Sequence, residues 1–177
     1  MLDGRRAAAA RPYVPTHRVM TVPTVAVRAV FELLSRYAQR RVEAGMFLYG
    51  DRNANGDTLA RAIVVPRQRT HWGNYQVSAE AMQSVAQATE HTDWVNIAQL
   101  HTHPGAWVEH SSYDDKVANS VRALSIVIPW YGRHASSWPT GLGIHEWQDG
   151  YWHKLERAHA ERRMQGGEGD VEVIDLA

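Results

Sequence analysis

The chain has 177 residues, with 19 basic and 19 acidic side chains, ten histidines and no cysteine. That length suits one domain with its own core. Zero net charge leaves no nucleic-acid footprint, and the lack of cysteine excludes disulfides and thiol catalysis. No apolar run approaches the ~20 residues of a membrane-spanning helix, and the apolar stretch near residue 7 is too short for a signal peptide, so a cytoplasmic location without membrane contact is expected.

Residues 1–16, rich in Arg and Ala with Pro12 and Pro15, read as a flexible lead-in. A short strand is expected over 18–22, and Pro23-Thr24 then opens a helix over 25–41 with an apolar stripe of Val27, Val30, Phe31, Leu34 and Ala38. A strand follows over 46–49. Asn53-Ala54-Asn55-Gly56-Asp57 reads as a hairpin turn into a returning strand over 59–65, closed by Pro66. Ser78 is a cap for a second helix carrying Met82, Val85 and Ala86. The run from Val95 has strand character and ends at Pro104, since proline cannot donate to a sheet ladder. The segment 111–121 reads as a helix and 123–131 as a buried strand. Strands over 141–147 and 151–155 flank Gln148-Asp149-Gly150, where Asp-Gly signals a tight hairpin. The Gly-rich, acidic segment 161–177 is expected to be a loose tail. Only Val171-Glu172-Val173-Ile174 has the alternation of an added strand. The organisation expected is therefore one α/β domain over 17–160 between two extensions, with no internal repeat.

The chemistry concentrates in His101-Thr102-His103-Pro104, Ser111 and Asp114. Residues two apart share one face of a strand, so His101 and His103 can point at one ion. In the following helix Asp114, Val117, Ala118 and Val121 share a face, which turns Asp114 inward and Asp115 elsewhere. An inward carboxylate needs a partner, and a metal supplies one. Two His and one Asp leave the fourth position of a tetrahedral zinc open for water, the usual catalytic arrangement. A capping box, with Ser111 as cap and Asp114 at the third helical position, also accounts for the Ser111–Asp114 spacing. Read locally, Glu43 is a solvated carboxylate between a helix and a strand, and His110 faces solvent.

Taken together, Glu43, His101-Thr102-His103-Pro104, Ser111 and Asp114 resemble the metal signature of the JAB/MPN (JAMM) metalloproteases. In that family a Glu shortly before a Gly-x-Leu-x-Gly-like strand is the general base. Glu43-Ala44-Gly45 and Leu48-Tyr49-Gly50 match that pattern, and the resemblance spans about 18–152. It implies a cytidine-deaminase-like mixed β-sheet flanked by helices. One Zn²⁺ per chain would be held by His101, His103 and Asp114, with Glu43 as proton acceptor and Ser111 as donor to the oxyanion. It further implies hydrolysis of the amide after the C-terminal glycine of a ubiquitin-like protein, in modifier maturation or removal from conjugates. The short stretches 67–77 and 133–140 suit a compact prokaryotic-type domain. Such domains are encoded beside E1-like and E2-like proteins in bacterial conjugation operons, including antiphage systems. Trimming of a sulfur-carrier protein, or a non-hydrolytic scaffold role, are the alternatives.

Seven tryptophans are many for this length. Trp94 and Trp147 read as structural, whereas Trp72, Trp107, Trp130 and Trp138 fall in or beside loops. Trp72 and Trp107 are candidate walls for an extended peptide tail, which binds best in an apolar groove with backbone hydrogen bonds.

Overall fold

The computed structural model describes residues 12–118, 122–133 and 138–177. The expected flexible segment lies outside the described residues for 1–11 and, for 12–16, runs along the surface with Tyr13 bonded to Glu146 and Val14 to Gln148.

Strand β1 (Met20–Pro23) leads directly into helix α1 (Thr24–Arg40). Pro23 sits just before the helix, where its missing N–H costs nothing. Arg41 ends it in the left-handed region at φ 53°. The buried face carries Val30, Leu34 and Tyr37 and packs on one side of the sheet. β2 (Gly45–Arg52) and β3 (Thr58–Val65) form an antiparallel hairpin. Asn53 shapes its turn, its Oδ1 accepting from the N–H of Asn55 and of Asp57 at 2.9 Å each, while Gly56 takes φ +84°. Two short strands unforeseen from sequence, β4 (Arg69–His71) and β5 (Asn74–Gln76), make a separate hairpin with Trp72 at its tip.

Helix α2 (Ala79–Thr89) is capped by Ser78 Oγ, which accepts from the N–H of Ala81 at 3.1 Å. β6 (Val95–Thr102) then enters the sheet centre, antiparallel to β2 and parallel to β7 (Leu124–Ile128). Between them lies α3, which covers only Ser112–Val117. The helix expected over 111–121 thus ends early, with Ala118 at ψ 80° breaking the helical path, and Val121 lies outside the described residues. The hairpin of β8 (Gly143–Gln148) and β9 (Tyr151–Lys154) turns through Asp149 and Gly150, both at positive φ, as a type I′ turn requires.

The segment after 160 is the main departure from expectation. Helix α4 (Arg157–Arg163) feeds β10 (Met164–Gly167), which pairs parallel to β1. β11 (Glu172–Asp175) then pairs parallel to β3 beside Ala62–Val65. The tail is ordered because β3 has one edge to share. β1 uses its first residues and β11 its last. Ile174 and Leu176 cover Phe47, Val64 and Val85 on the sheet face opposite α1. The alternation in 171–174 was the legible sign; glycine content misled.

The result is a curled, mixed, nine-stranded sheet of order β10-β1-β3-β2-β6-β7-β8-β9, with β11 also on β3, and helices on it. No helix among the described residues is long and apolar enough to cross a membrane.

Candidate metal centre

β6 places the site. Its final residues are buried, and Gly45 of β2 stands opposite His101. The chain leaves at the carboxyl ends of parallel strands β6 and β7, where open α/β sheets habitually form their crevices. Beyond the strand, His103 stays anchored, its N–H donating to Ile128 O at 2.9 Å.

His101, His103 and Asp114 meet here, each at most 5 % exposed. The two Nε2 atoms lie 3.3 Å apart, His103 Nε2 lies 3.2 Å from Asp114 Oδ2, and His101 Nε2 lies 3.4 Å from Asp114 Oδ1. These three residues form a group able to hold a metal ion. The spacings match the edge of a tetrahedron with bonds of about 2.0–2.1 Å, which is about 3.3 Å. Proton positions point the same way. His103 Nδ1 lies 3.2 Å from the Trp107 carbonyl, an acceptor only, so Nδ1 carries the proton of a neutral ring. Burial, with His101 close by, holds the His103 pKa below its ordinary value despite Asp114, which keeps the ring neutral. Its Nε2 lone pair therefore faces a carboxylate oxygen, and a cation between them relieves that opposition. His101 Nδ1 is buried with no hydrogen-bond partner, so this ligand lacks the outer acceptor that usually orients a metal-bound histidine.

Asp114 serves both readings of its spacing. Ser111 is the N-cap of α3 and the capping box is complete, while the same carboxylate faces the histidines. Ser111 donates from both N–H and Oγ to Asp114 Oδ2, each at 2.7 Å. Burial opposes the charge on Asp114, but His101 beside it outweighs that and holds the carboxyl well below the usual range, with the two Ser111 donors on the same oxygen.

Glu43 is not the solvated carboxylate of the local reading. It is 5 % exposed, just before β2. Ala44 donates its N–H to Thr102 Oγ1 and accepts from the Thr102 N–H, at 3.0 Å each, while the Glu43 N–H donates to the His71 carbonyl at 2.8 Å, which ties the segment before β2 to both β6 and β4. Burial first, then the charge of Asp114, pushes the Glu43 pKa up to about 8.

The aromatic candidates divide. Trp107 stands against the site, its ring 5.5 Å from that of His103 and 39 % exposed. Trp72 lies farther out on the β4–β5 hairpin, 65 % exposed, its carbonyl accepting from Tyr131 Oη at 2.8 Å. Trp130 is also exposed, whereas Trp138 packs against the core. Trp94 and Trp147 are half-buried, and Trp147 meets Trp152 edge-on.

Sequence reasoning missed two supports. Tyr75 is buried, stacks over His101 at 5.9 Å and takes a hydrogen bond from Gln99 at 2.8 Å. Only glycine at 45 leaves room for it, since a Cβ there would sit 2.2 Å from the ring. Gly45 was the available signal. His110 is 2 % exposed rather than solvent-facing. Its Nδ1 donates to Asp115 at 3.1 Å, its Nε2 accepts from Ser125 Oγ at 2.8 Å, and its ring stacks on His145 at 4.0 Å. His145 Nε2 in turn donates to Val108 O at 2.9 Å, so this stack pins the loop between His103 and Ser111.

Beside the cluster runs a groove of about 830 Å³, bordered by Phe47, Gln68, Tyr75, Gln99 and Tyr113.

Neither a family model nor a curated protein matches this sequence. Among solved structures, the chain is similar in fold to protein DSY2949 from Desulfitobacterium hafniense. That match has 14 % identity and a TM-score of 0.57, over 85 % of this chain and 94 % of the other. A protein from Salinibacter ruber matches with 15 % identity and a TM-score of 0.54, over 77 % of this chain and 89 % of the other. These likenesses concern fold alone.

Proposed function

We propose that this chain is a zinc-dependent isopeptidase of JAB/MPN type. It hydrolyses the amide after the C-terminal glycine of a ubiquitin-like protein, in the cytoplasm of a cell that encodes E1-like and E2-like partners. The observation that carries this reading is the convergence of His101, His103 and Asp114 at tetrahedral spacings, with Glu43 buried beside them and Ser111 bonded to Asp114. The residues fit zinc: two imidazoles, one of them held neutral, and one ionised carboxylate. When bound, zinc polarises a carbonyl and brings the pKa of water to about 7.

The chain's own residues supply the rest. Glu43 accepts a proton from the attacking water and returns one to the leaving amine. Its desolvated position raises its basicity, and a positioned base is typically worth 10²–10⁴-fold. Ser111 Oγ, released from Asp114, donates to the oxyanion. The groove beside the site has the volume of a ligand cleft and suits an extended glycine-ended tail, with Trp107 as a wall at the cluster.

The test is cleavage of a linear fusion between a ubiquitin-like protein ending in glycine and a reporter, with zinc measured in parallel. Wild type is expected to cut after the modifier's terminal glycine with about one zinc per chain, and Glu43→Ala to retain zinc and cut nothing. Intact fusion with zinc-loaded wild type would overturn the peptidase reading in favour of a scaffold.

A further inference from the structure

At the end of the sheet remote from the metal centre lies a second pocket, of about 400 Å³. β2 links the two ends: Gly45 faces His101, and Arg52 closes the strand roughly 20 Å away at about 3.3 Å per residue. Four arginines line this pocket, namely Arg18, Arg52, Arg122 and Arg163, with Asn53 and Trp147. Among the described residues one carboxylate lines it, Glu146. That carboxylate is already engaged, by Arg163 at 3.0 Å, Tyr13 Oη at 2.5 Å and Thr16 Oγ1 at 3.2 Å. The nearby Asp57 is likewise occupied by Val19 N–H and the Asn53 amide.

Arg18, Arg52 and Arg122 border the pocket with Arg163. Arg52 donates to the Arg122 carbonyl at 3.0 Å, and burial together with Arg18, Arg122 and Arg163 lowers its pKa from the ordinary value. Arg18 lies over Gly56, where a Cβ would come within 2.9 Å of its Nε. Arg18, Arg52 and Arg122 are exposed around this concavity, so their guanidinium groups are open to an anion that enters it. Guanidinium forks match phosphate oxygens in pairs. An aromatic face beside such a cluster offers a stacking surface for a base.

We propose that this pocket binds a nucleotide, its phosphates on Arg18, Arg52 and Arg122 above the buried Arg163, and its base against Trp147. The size is that of a small-ligand cleft. The site is separate from the metal centre and does not depend on the peptidase reading.

Titration calorimetry of the full chain with ADP, inorganic phosphate and adenosine tests it. One ADP per chain is expected, bound more weakly as salt rises. Arg52→Gln and Arg18→Gln are each expected to weaken it about tenfold, the worth of one charge-assisted hydrogen bond. Zinc content in both variants should be unchanged, and chelator-treated protein should bind ADP equally well. Absence of binding at low salt, or undiminished affinity in both variants, would overturn the proposal. So would loss of binding on chelation, which would put the ligand at the zinc cluster. Phosphate binding as tightly as ADP would overturn the assignment of a nucleotide.

Discussion

The two carboxylates of the site are pushed in opposite directions. The Asp114 carboxyl is lowered by His101 and takes two donors from Ser111; Glu43 has burial and a like charge, and its pKa rises to about 8. A raised carboxyl favours the folded state fully below its ordinary 4.5, and that contribution disappears as pH climbs through about 8. Chelator-treated wild type should therefore lose thermal stability between pH 5 and 8 relative to Glu43→Gln, whose side chain does not titrate. Parallel melting curves would show that Glu43 is solvated after all. Ser111→Ala removes both a helix cap and a donor. The cap is worth about 1 kcal/mol, and the oxyanion donor about 10²–10³-fold in turnover. Turnover falling that far while zinc content holds is the expected pattern. Zinc lost in step with activity would reduce Ser111 to a support of Asp114.

Among the elements, β6 and the α3 cap were legible because their signals are local: a strand-like run ending at a proline, and serine three residues before aspartate. The β4–β5 hairpin was not, since three-residue strands carry too little pattern and the meaning of Tyr75 depends on Gly45 across the sheet. Burial of Glu43 and His110 was hidden for the same reason, because their neighbours come from other strands. Gly45→Ala should accordingly behave as an overpacking change, costing about 1–3 kcal/mol, and should weaken zinc binding by displacing the ring stacked on His101. A variant of wild-type stability and zinc affinity would mean that Tyr75 moves freely. For β11, two contributions compete. Arg36 and Asp175 make a paired ion bridge, but both side chains are over a third exposed, so Asp175→Ala should change stability little. A chain shortened to residue 170 loses the ladder to Ala62–Val65 and the cover over Phe47 and Val64, and should melt markedly lower. Equal melting of the two variants would assign the effect to the ion pair.

For the molecule as a whole, ligand binding is a stability measurement. Anything held only by the folded state adds RT ln(1 + [L]/Kd), about 2.7 kcal/mol at a hundredfold excess over Kd. Zinc should raise the melting temperature of wild type and leave His103→Ala unmoved; a shift equal in both would place the metal elsewhere. Because the arginine pocket lies at the opposite end of β2, zinc and nucleotide shifts should add, as independent sites do. The α/β class was readable from the order of elements, whereas the way the last strands close the sheet was not, because parallel pairing with β1 and β3 joins segments far apart in sequence.

That closure also sets a schedule. Half of the β3 edge stays unsatisfied until residues 172–175 have been made, although β3 itself is synthesised early. Throughout elongation the nascent chain presents Ile63, Val64 and Val65 beside an open row of backbone donors and acceptors, the surface that other chains pair with most readily. Slow, non-local pairing prolongs that exposure. The hours after induction, more than the finished protein, are then where this polypeptide is most prone to aggregate, and where slower translation or a chaperone would do most good.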